Sequence, residues 1–194
     1  MAVSCRVATL AAMHAALLRR SVPGLGAALL VAVVAGCGDP VPQRDAPAQA
    51  AVRVGGVSYD VQAARDLDPA SAGDRSFFAG APRAGRGLPA DQVWLGVFLQ
   101  AQNDSGSTRR TASGMTLADA RGHVYRSVPL GPGNDYAYRP ETLGPGGTEP
   151  DPESPASSTP EQGSLVLFRV PLAAFLHGRP LELRVGPGGV RLAV

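Results

Sequence analysis

Val93-Trp94-Leu95-Gly96-Val97-Phe98-Leu99-Gln100-Ala101 is the stretch that decides the fold. It is apolar almost throughout and is bounded by turn residues, with Asn103-Asp104-Ser105-Gly106 on its C-terminal side. Such a run reads as a central strand covered on both faces, by a partner sheet on one side and a loop on the other. Gly163-Ser164-Leu165-Val166-Leu167-Phe168-Arg169-Val170-Pro171 has the same character. The two runs put Trp94, Leu95, Val97, Phe98, Leu99, Leu165, Leu167 and Phe168 in the expected core.

On either side the pattern stays short and strand-like. Val52, Val54, Val57, Tyr59 and Val61 alternate, and Gly55-Gly56 breaks their register into two strands or a bulge. Residues 66–91 are polar and rich in Gly, Pro and Ala, a long loop with a strand expected only around Phe77-Phe78. Residues 108–117 and 124–127 read as a hairpin joined by Asp119-Ala120-Arg121-Gly122, with Gly122 where a positive φ is needed. Residues 129–162 form a second long insert. Its portion near 140–162 interleaves acids with Pro140, Pro145, Pro150, Pro152, Pro155 and Pro160 and has Leu143 as its one large apolar residue, so it is expected to be disordered. One helical turn is expected at 172–176. Strands follow at Leu181, Leu183 and Val185, and at 190–194. No helical period persists after residue 50, so the domain at 51–194 reads as an all-β antiparallel sandwich.

The N-terminus carries an address. Residues 21–36 hold no charge, follow Arg19-Arg20 and end in Val34-Ala35-Gly36-Cys37. The apolar run is shorter than the roughly 20 residues that cross a bilayer. It reads as the signal helix of a bacterial lipoprotein, residues 1–36. Cys37 is then the lipidation site and the bond between Gly36 and Cys37 the cleavage site, where small side chains let the peptidase reach the backbone. Met13 offers a more usual start than Met1. Arg19-Arg20-Ser21 opens like a twin-arginine signal, but Pro23 and Gly24 follow where that motif takes bulky apolar residues. Residues 37–50, with Pro40, Pro42 and Pro47, read as a semi-extended tether. The expected location is the extracytoplasmic face of the cell membrane, held by the lipid anchor.

Charge and cysteine counts narrow the chemistry. Arg6, Arg19 and Arg20 belong to the signal, so 15 of the 18 basic residues remain against 16 acids. A near-neutral domain lacks the basic footprint of a nucleic-acid binder. Cys5 and Cys37 are the only cysteines, which leaves the mature chain no disulfide and no Cys-based metal site. No Lys and no Ile occur, a mark of a GC-rich genome that says nothing of fold.

The ordered pieces resemble a known family. The run 93–102 leading into Asn103-Asp104-Ser105-Gly106, the segment Met115-Thr116-Leu117-Ala118-Asp119-Ala120-Arg121-Gly122-His123-Val124-Tyr125, the run 163–171 and the ending Leu181-Glu182-Leu183-Arg184-Val185 follow one another as in the bacterial secreted Ig-like domains related to the mycobacterial immunoprotective extracellular antigen. The resemblance spans residues 52–194; the longer, more polar stretch 140–160 departs from it. It implies an Ig-like, telokin-like sandwich, export, frequently a lipid anchor, and no established enzymatic activity.

No catalytic motif emerges. His123 and His177 are the only histidines after the signal, and neither is accompanied by a nucleophile and an orienting group at recognisable spacing. Glu149, Asp151, Glu153 and Glu161 are separated by prolines and lack the spacing of a calcium loop. Gly131-Pro132-Gly133 and Gly186-Pro187-Gly188-Gly189 are turns, since no phosphate-cradle pattern surrounds them. No catalytic residue, metal site or cofactor is expected. Tyr136, Tyr138 and Arg139 are the candidate binding residues, because aromatic and Arg side chains on a loop of a rigid sandwich commonly make interfaces. The expected function is a binding or interaction module whose partners are the membrane, through the lipid anchor, and an envelope protein. An accessory subunit of an envelope transport or sensing complex is the alternative.

Overall fold

The computed structural model describes residues 51–82, 87–186 and the backbone of 190–193. The chain divides into two compact units, Met1–Pro42 and Gln43–Val194, and every described residue belongs to the second. The signal helix, Gly36, Cys37 and the tether at 37–50 lie outside the described residues.

The strand β3 (Gln92–Asn103) is the axis of the domain. It pairs along one side with β2 (Val57–Leu67) and along the other with β9 (Ser164–Pro171), both antiparallel. β1 (Val52–Val54) folds back on β2 across Gly55-Gly56, as the alternation predicts. A bulge between Val61 and Ala63 shifts the β2 register by one residue, so apolar side chains of β2 face first one side and then both.

The second layer holds β5 (Thr116–Ala118), β6 (Val124–Val128), β10 (Glu182–Val185) and β11 (Val190–Ala193). The layers are not separate sheets. β6 pairs with β5 through residues 124–126 and with β9 through Ser127 and Val128, so one hydrogen-bonded path runs β1-β2-β3-β9-β6-β5-β10-β11 and folds over itself. Turn chemistry positions the hairpin: Gly122 has φ +86° and its N–H donates to the Asp119 carbonyl at 2.9 Å. The result is a mostly antiparallel β-sandwich with few helices. The one α-helix among the described residues, α1 (Leu172–His177), is the expected single turn after β9. No helix among the described residues is long and apolar enough to cross a membrane.

Both faces of β3 are buried, as its composition requires. Leu95, Val97 and Leu99 face inward with Phe168, Leu117, Leu183 and Val185, all at most 1% exposed. Trp94 and Phe98 face outward with Leu67, Leu165, Leu167 and Phe77. Each such side chain contributes roughly 1.5–3 kcal/mol by leaving water.

Three expectations are corrected. Phe77-Phe78 is not a strand but part of a 3-10 turn, Arg75–Phe78, that caps the outer face. Ring packing decides this: Phe77 meets Phe98 edge-on at 5.2 Å and Tyr136 at 5.0 Å, while Phe78 meets Trp94 at 5.7 Å. Residues 108–117 are not one strand. Arg109–Arg110 (β4) pairs with Thr142–Leu143 (β7), and the chain then leaves the sheet until β5. Finally, the stretch near 140–162 is not a disordered loop. It contains β7, a short strand β8 (Thr148–Glu149) paired with β3, and a 3-10 turn at Pro155–Ser158 capped by the Ser154 side chain. Asn103, fully buried at the end of β3, holds it down. Its Nδ2 donates to the carbonyls of Ser107, Leu143 and Gly144 at 2.9, 3.0 and 2.8 Å, and its own backbone exchanges bonds with Gly146 and Gly147. Polar pins, rather than apolar burial, offset the ordering entropy here.

Candidate functional site

The corrected 140–162 segment builds a groove of about 580 Å³ against the segment that precedes it. Its lining includes Pro132, Asp135, Arg139, Glu141, Glu149 and Asp151, with Ser164 at the start of β9. β4 and β7 position Glu141: its N–H donates to Thr111 Oγ1 at 2.8 Å and its carbonyl accepts from the Thr111 N–H at 2.8 Å. β8 positions Glu149 by pairing it with Ala101 of β3.

Glu149 is the most perturbed acid. Burial pushes its carboxyl up to about 7, and the neighbouring Glu141 pushes the same way. The Ser164 hydroxyl, donating to Glu149 Oε1 at 2.7 Å, offsets part of this. Two acids in one groove, one of them largely buried, suit the binding of a cationic group.

Of the candidate residues read from the sequence, Arg139 lies in this groove, exposed, with its guanidinium donating to the Gly131 carbonyl at 2.6 Å. Tyr136 and Tyr138 do not present free rings, and that part of the expectation is corrected. Tyr136 packs in the outer cluster against Phe77, and its carbonyl accepts from the Leu165 N–H at 2.6 Å. Tyr138 packs on the inner cluster, and its hydroxyl donates to the Ala112 carbonyl at 2.7 Å. Burial raises the Tyr138 hydroxyl well above its ordinary range. Tyr138 and Arg139 also border a smaller groove of about 330 Å³ with Met115, Val128 and Leu130. No local signal marks this: two residues apart, the rings pack in different clusters, Tyr136 in the outer one and Tyr138 in the inner one.

The histidines stand apart. His123 Nδ1 meets Asp119 Oδ2 at 2.9 Å, and the same oxygen accepts from the Tyr125 hydroxyl at 2.9 Å. Burial pushes the Asp119 carboxyl up, but bonds from His123, Tyr125 and the Arg121 N–H win and hold it near 2. Burial and this carboxylate raise Tyr125 to about 12. No hydroxyl or thiol nucleophile bonds to the imidazole, so the cluster braces the turn. His177 ends α1, exposed. Among the described residues no group of three or more His, Cys, Asp or Glu side chains is placed to hold a metal ion.

No protein-family model matches the chain, and no curated protein matches it. Among solved structures the chain is similar to an uncharacterised β-sandwich protein from Clostridium difficile. The identity is 10% and the TM-score 0.39, over 74% of this chain and 87% of that one.

Proposed function

We propose that the protein is a lipid-anchored module of the extracytoplasmic envelope, an Ig-like sandwich tethered at Cys37 that binds a polar, amine-bearing ligand in the 580 Å³ groove. The groove's Glu141–Glu149 pair, flanked by Asp135 and Asp151, carries this reading. A cationic amine entering the groove takes the place of the Glu149 proton, and Arg139, in the same lining, suits a carboxylate of the same ligand. The resemblance of residues 93–106, 115–125 and 163–171 to secreted Ig-like domains supports export, and the Val34-Ala35-Gly36-Cys37 motif supports the anchor.

The test is calorimetric titration of spermidine and of a short oligolysine peptide into the protein on both sides of the Glu149 titration, at about one pH unit below and above 7. Saturable binding, several-fold tighter at the higher pH, is expected, and Glu149→Gln should flatten that pH dependence. Absence of saturable binding at low salt, or binding unchanged in a Glu141→Gln/Glu149→Gln double variant, overturns the groove. The anchor is read separately. Cys37→Ala should move the chain from the membrane to the soluble fraction with its domain folded, and an unchanged membrane fraction sinks that half.

A further inference from the structure

Two large apolar side chains are exposed among the described residues, Val124 and Leu176, and the fold brings both to one end of the domain. Val124 opens β6 directly after the turn at 119–122. Leu176 lies near the end of α1, which is fastened to that turn by the Ala120 N–H donating to the Gly178 carbonyl at 3.0 Å.

The exposed charged side chains of these elements are arginines. Arg121 sits in the turn, Arg126 lies two residues past Val124 on the same face of β6, and Arg179 follows Gly178; all three are exposed. Arg179 is held at the helix end, its guanidinium 5.4 Å from the Phe175 ring and its Nε donating to the Phe175 carbonyl at 3.4 Å. Across the sheet Arg126 stands opposite Thr116 and Thr116 opposite Arg184, while half-buried Glu182 stands opposite Ala118 and in line with Val124. Asp91, exposed, lies at the far end of α1, its carbonyl accepting from the Leu172 N–H at 2.7 Å. Arg184 Nε is buried without a hydrogen-bond partner.

The acids of these elements are Asp119 and Glu182. Asp119 is only 7% exposed, and its oxygens are committed to the N–H groups of Arg121 and His123, the His123 ring and the Tyr125 hydroxyl. Glu182 also has a partner. The groove side, by contrast, carries Asp135, Glu141, Glu149 and Asp151. The near-neutral net charge therefore conceals a basic, apolar-tipped end and an acidic side.

We propose that this end, with Arg121, Arg126 and Arg179 around Val124 and Leu176, docks on an anionic phospholipid surface. Guanidinium groups are weakly hydrated and pair with phosphates, while exposed Val and Leu side chains enter the interfacial layer. The surface is within reach: the 13 residues between Cys37 and Ala51 let the two ends stand at most about 50 Å apart at full extension. Holding the domain that close makes even a weak contact effective. The proposal rests on the lipid-anchored reading, and the groove stays free to take its ligand while the opposite sign of charge faces the lipid.

The test uses the full chain with Cys37→Ser, so that partitioning reports the domain's contact and not the acyl chains. Flotation is measured on phosphatidylcholine vesicles and on vesicles with about 30% phosphatidylglycerol, at about 0.05 M and about 0.5 M salt. The N-terminal segment, with Arg6, Arg19 and Arg20, also favours anionic vesicles but is common to every variant, so the difference between variants reports the domain. Binding to the anionic vesicles should exceed binding to the neutral ones by about tenfold at low salt and lose that excess at high salt. Arg121→Glu/Arg126→Glu should remove most of the excess, and an excess unchanged in that variant overturns the proposal. Arg75→Glu, an exposed reversal on the outer-face turn, should leave it, and a circular dichroism melt of each variant confirms the fold. Val124→Ser/Leu176→Ser, which keeps every charge, should weaken anionic binding several-fold. Equal partitioning on the two vesicles overturns the proposal, as does an equal loss from Arg75→Glu. Association that needs other envelope proteins assigns the surface to a protein partner and overturns it too. Acyl-label incorporation at Cys37 in cells is scored separately, so loss of labelling with the vesicle ratio intact removes the anchor and leaves the docking surface standing.

Discussion

The two faces of β3 are buried by different means. Inward, Leu95, Val97 and Leu99 meet side chains from other strands, such as Leu117 and Leu183, and every backbone group involved is already satisfied by a ladder. Outward, Trp94 and Phe98 meet irregular chain: the 3-10 turn with Phe77, and Leu130 and Tyr136. Irregular backbone has no ladder, so polar side chains hold it. Asn134, 2% exposed, donates from Nδ2 to the carbonyls of Phe77 and Ala79 at 2.9 and 3.0 Å. Arg65 bridges Asp74 at 2.7 Å and Glu161 at 2.9 Å while its guanidinium lies 5.7 Å from the Phe77 ring. Gly80 and Gly131 let the two cover segments touch, since a Cβ on Gly80 would stand 2.7 Å from Gly131 Cα. A sheet face can be covered by a sheet through apolar pattern alone. Covering it with loops takes specific polar anchors.

The sharpest challenge to this contrast compares Phe168→Ala, inner, with Phe98→Ala, outer. Both rings are fully buried, and each substitution should cost about 3–5 kcal/mol in denaturant unfolding. A much smaller cost for Phe98→Ala would mean that the cover collapses into the cavity and is softer than the strand-built side.

Asn134→Ala is the next largest. It leaves the buried Phe77 carbonyl without its partner, at about 1–3 kcal/mol, while water can replace the bonds at the exposed Ala79 and half-buried Tyr136. The loss should be local: faster amide exchange at Phe77, Ala79 and Tyr136, with β3 and β9 still protected. Uniform acceleration across the strands would erase the distinction between the two sides.

The smallest effect is a pH dependence. Folding raises the Glu149 carboxyl from 4.5 to about 7, so the folded state binds its proton more tightly than the unfolded chain. Stability should therefore fall as pH rises from 4.5 through about 7 and level off above, the reverse of a salt-bridged acid. Glu149→Gln, which keeps an oxygen for the Ser164 hydroxyl, should flatten the melting temperature across that window. A wild-type melting temperature that is already flat there would show that the groove holds the carboxylate ionised without cost.

Much of the strand framework was legible in the sequence because its signal is local. Period-two alternation around Tyr59, near-continuous apolar runs around Phe98 and Leu167, and Gly122 in the turn each report a short-range constraint. The candidate site was barely legible. Arg139 stands out in the sequence, but Glu141 does not and Glu149 looks like one of several acids separated by prolines, because the two are brought to one groove by β7 and β8 pairing with chain 32 to 48 residues away. The same reason hid Asn103 and Asn134. A buried Asn that bonds carbonyls 40 or 57 residues distant looks, in one dimension, like any turn Asn.

The sequence by itself determined the strands around Tyr59, Phe98 and Leu167 and the core residues they carry, because hydrophobic period acts over a few neighbours. Tertiary structure alone decided that Pro-rich chain is pinned to the sheet, that Tyr136 and Tyr138 turn inward, and that acids gather on the groove side while arginines surround Val124 and Leu176. Those outcomes depend on hydrogen bonds and charges brought together from distant parts of the chain, and their energies exist only once the sheet has closed.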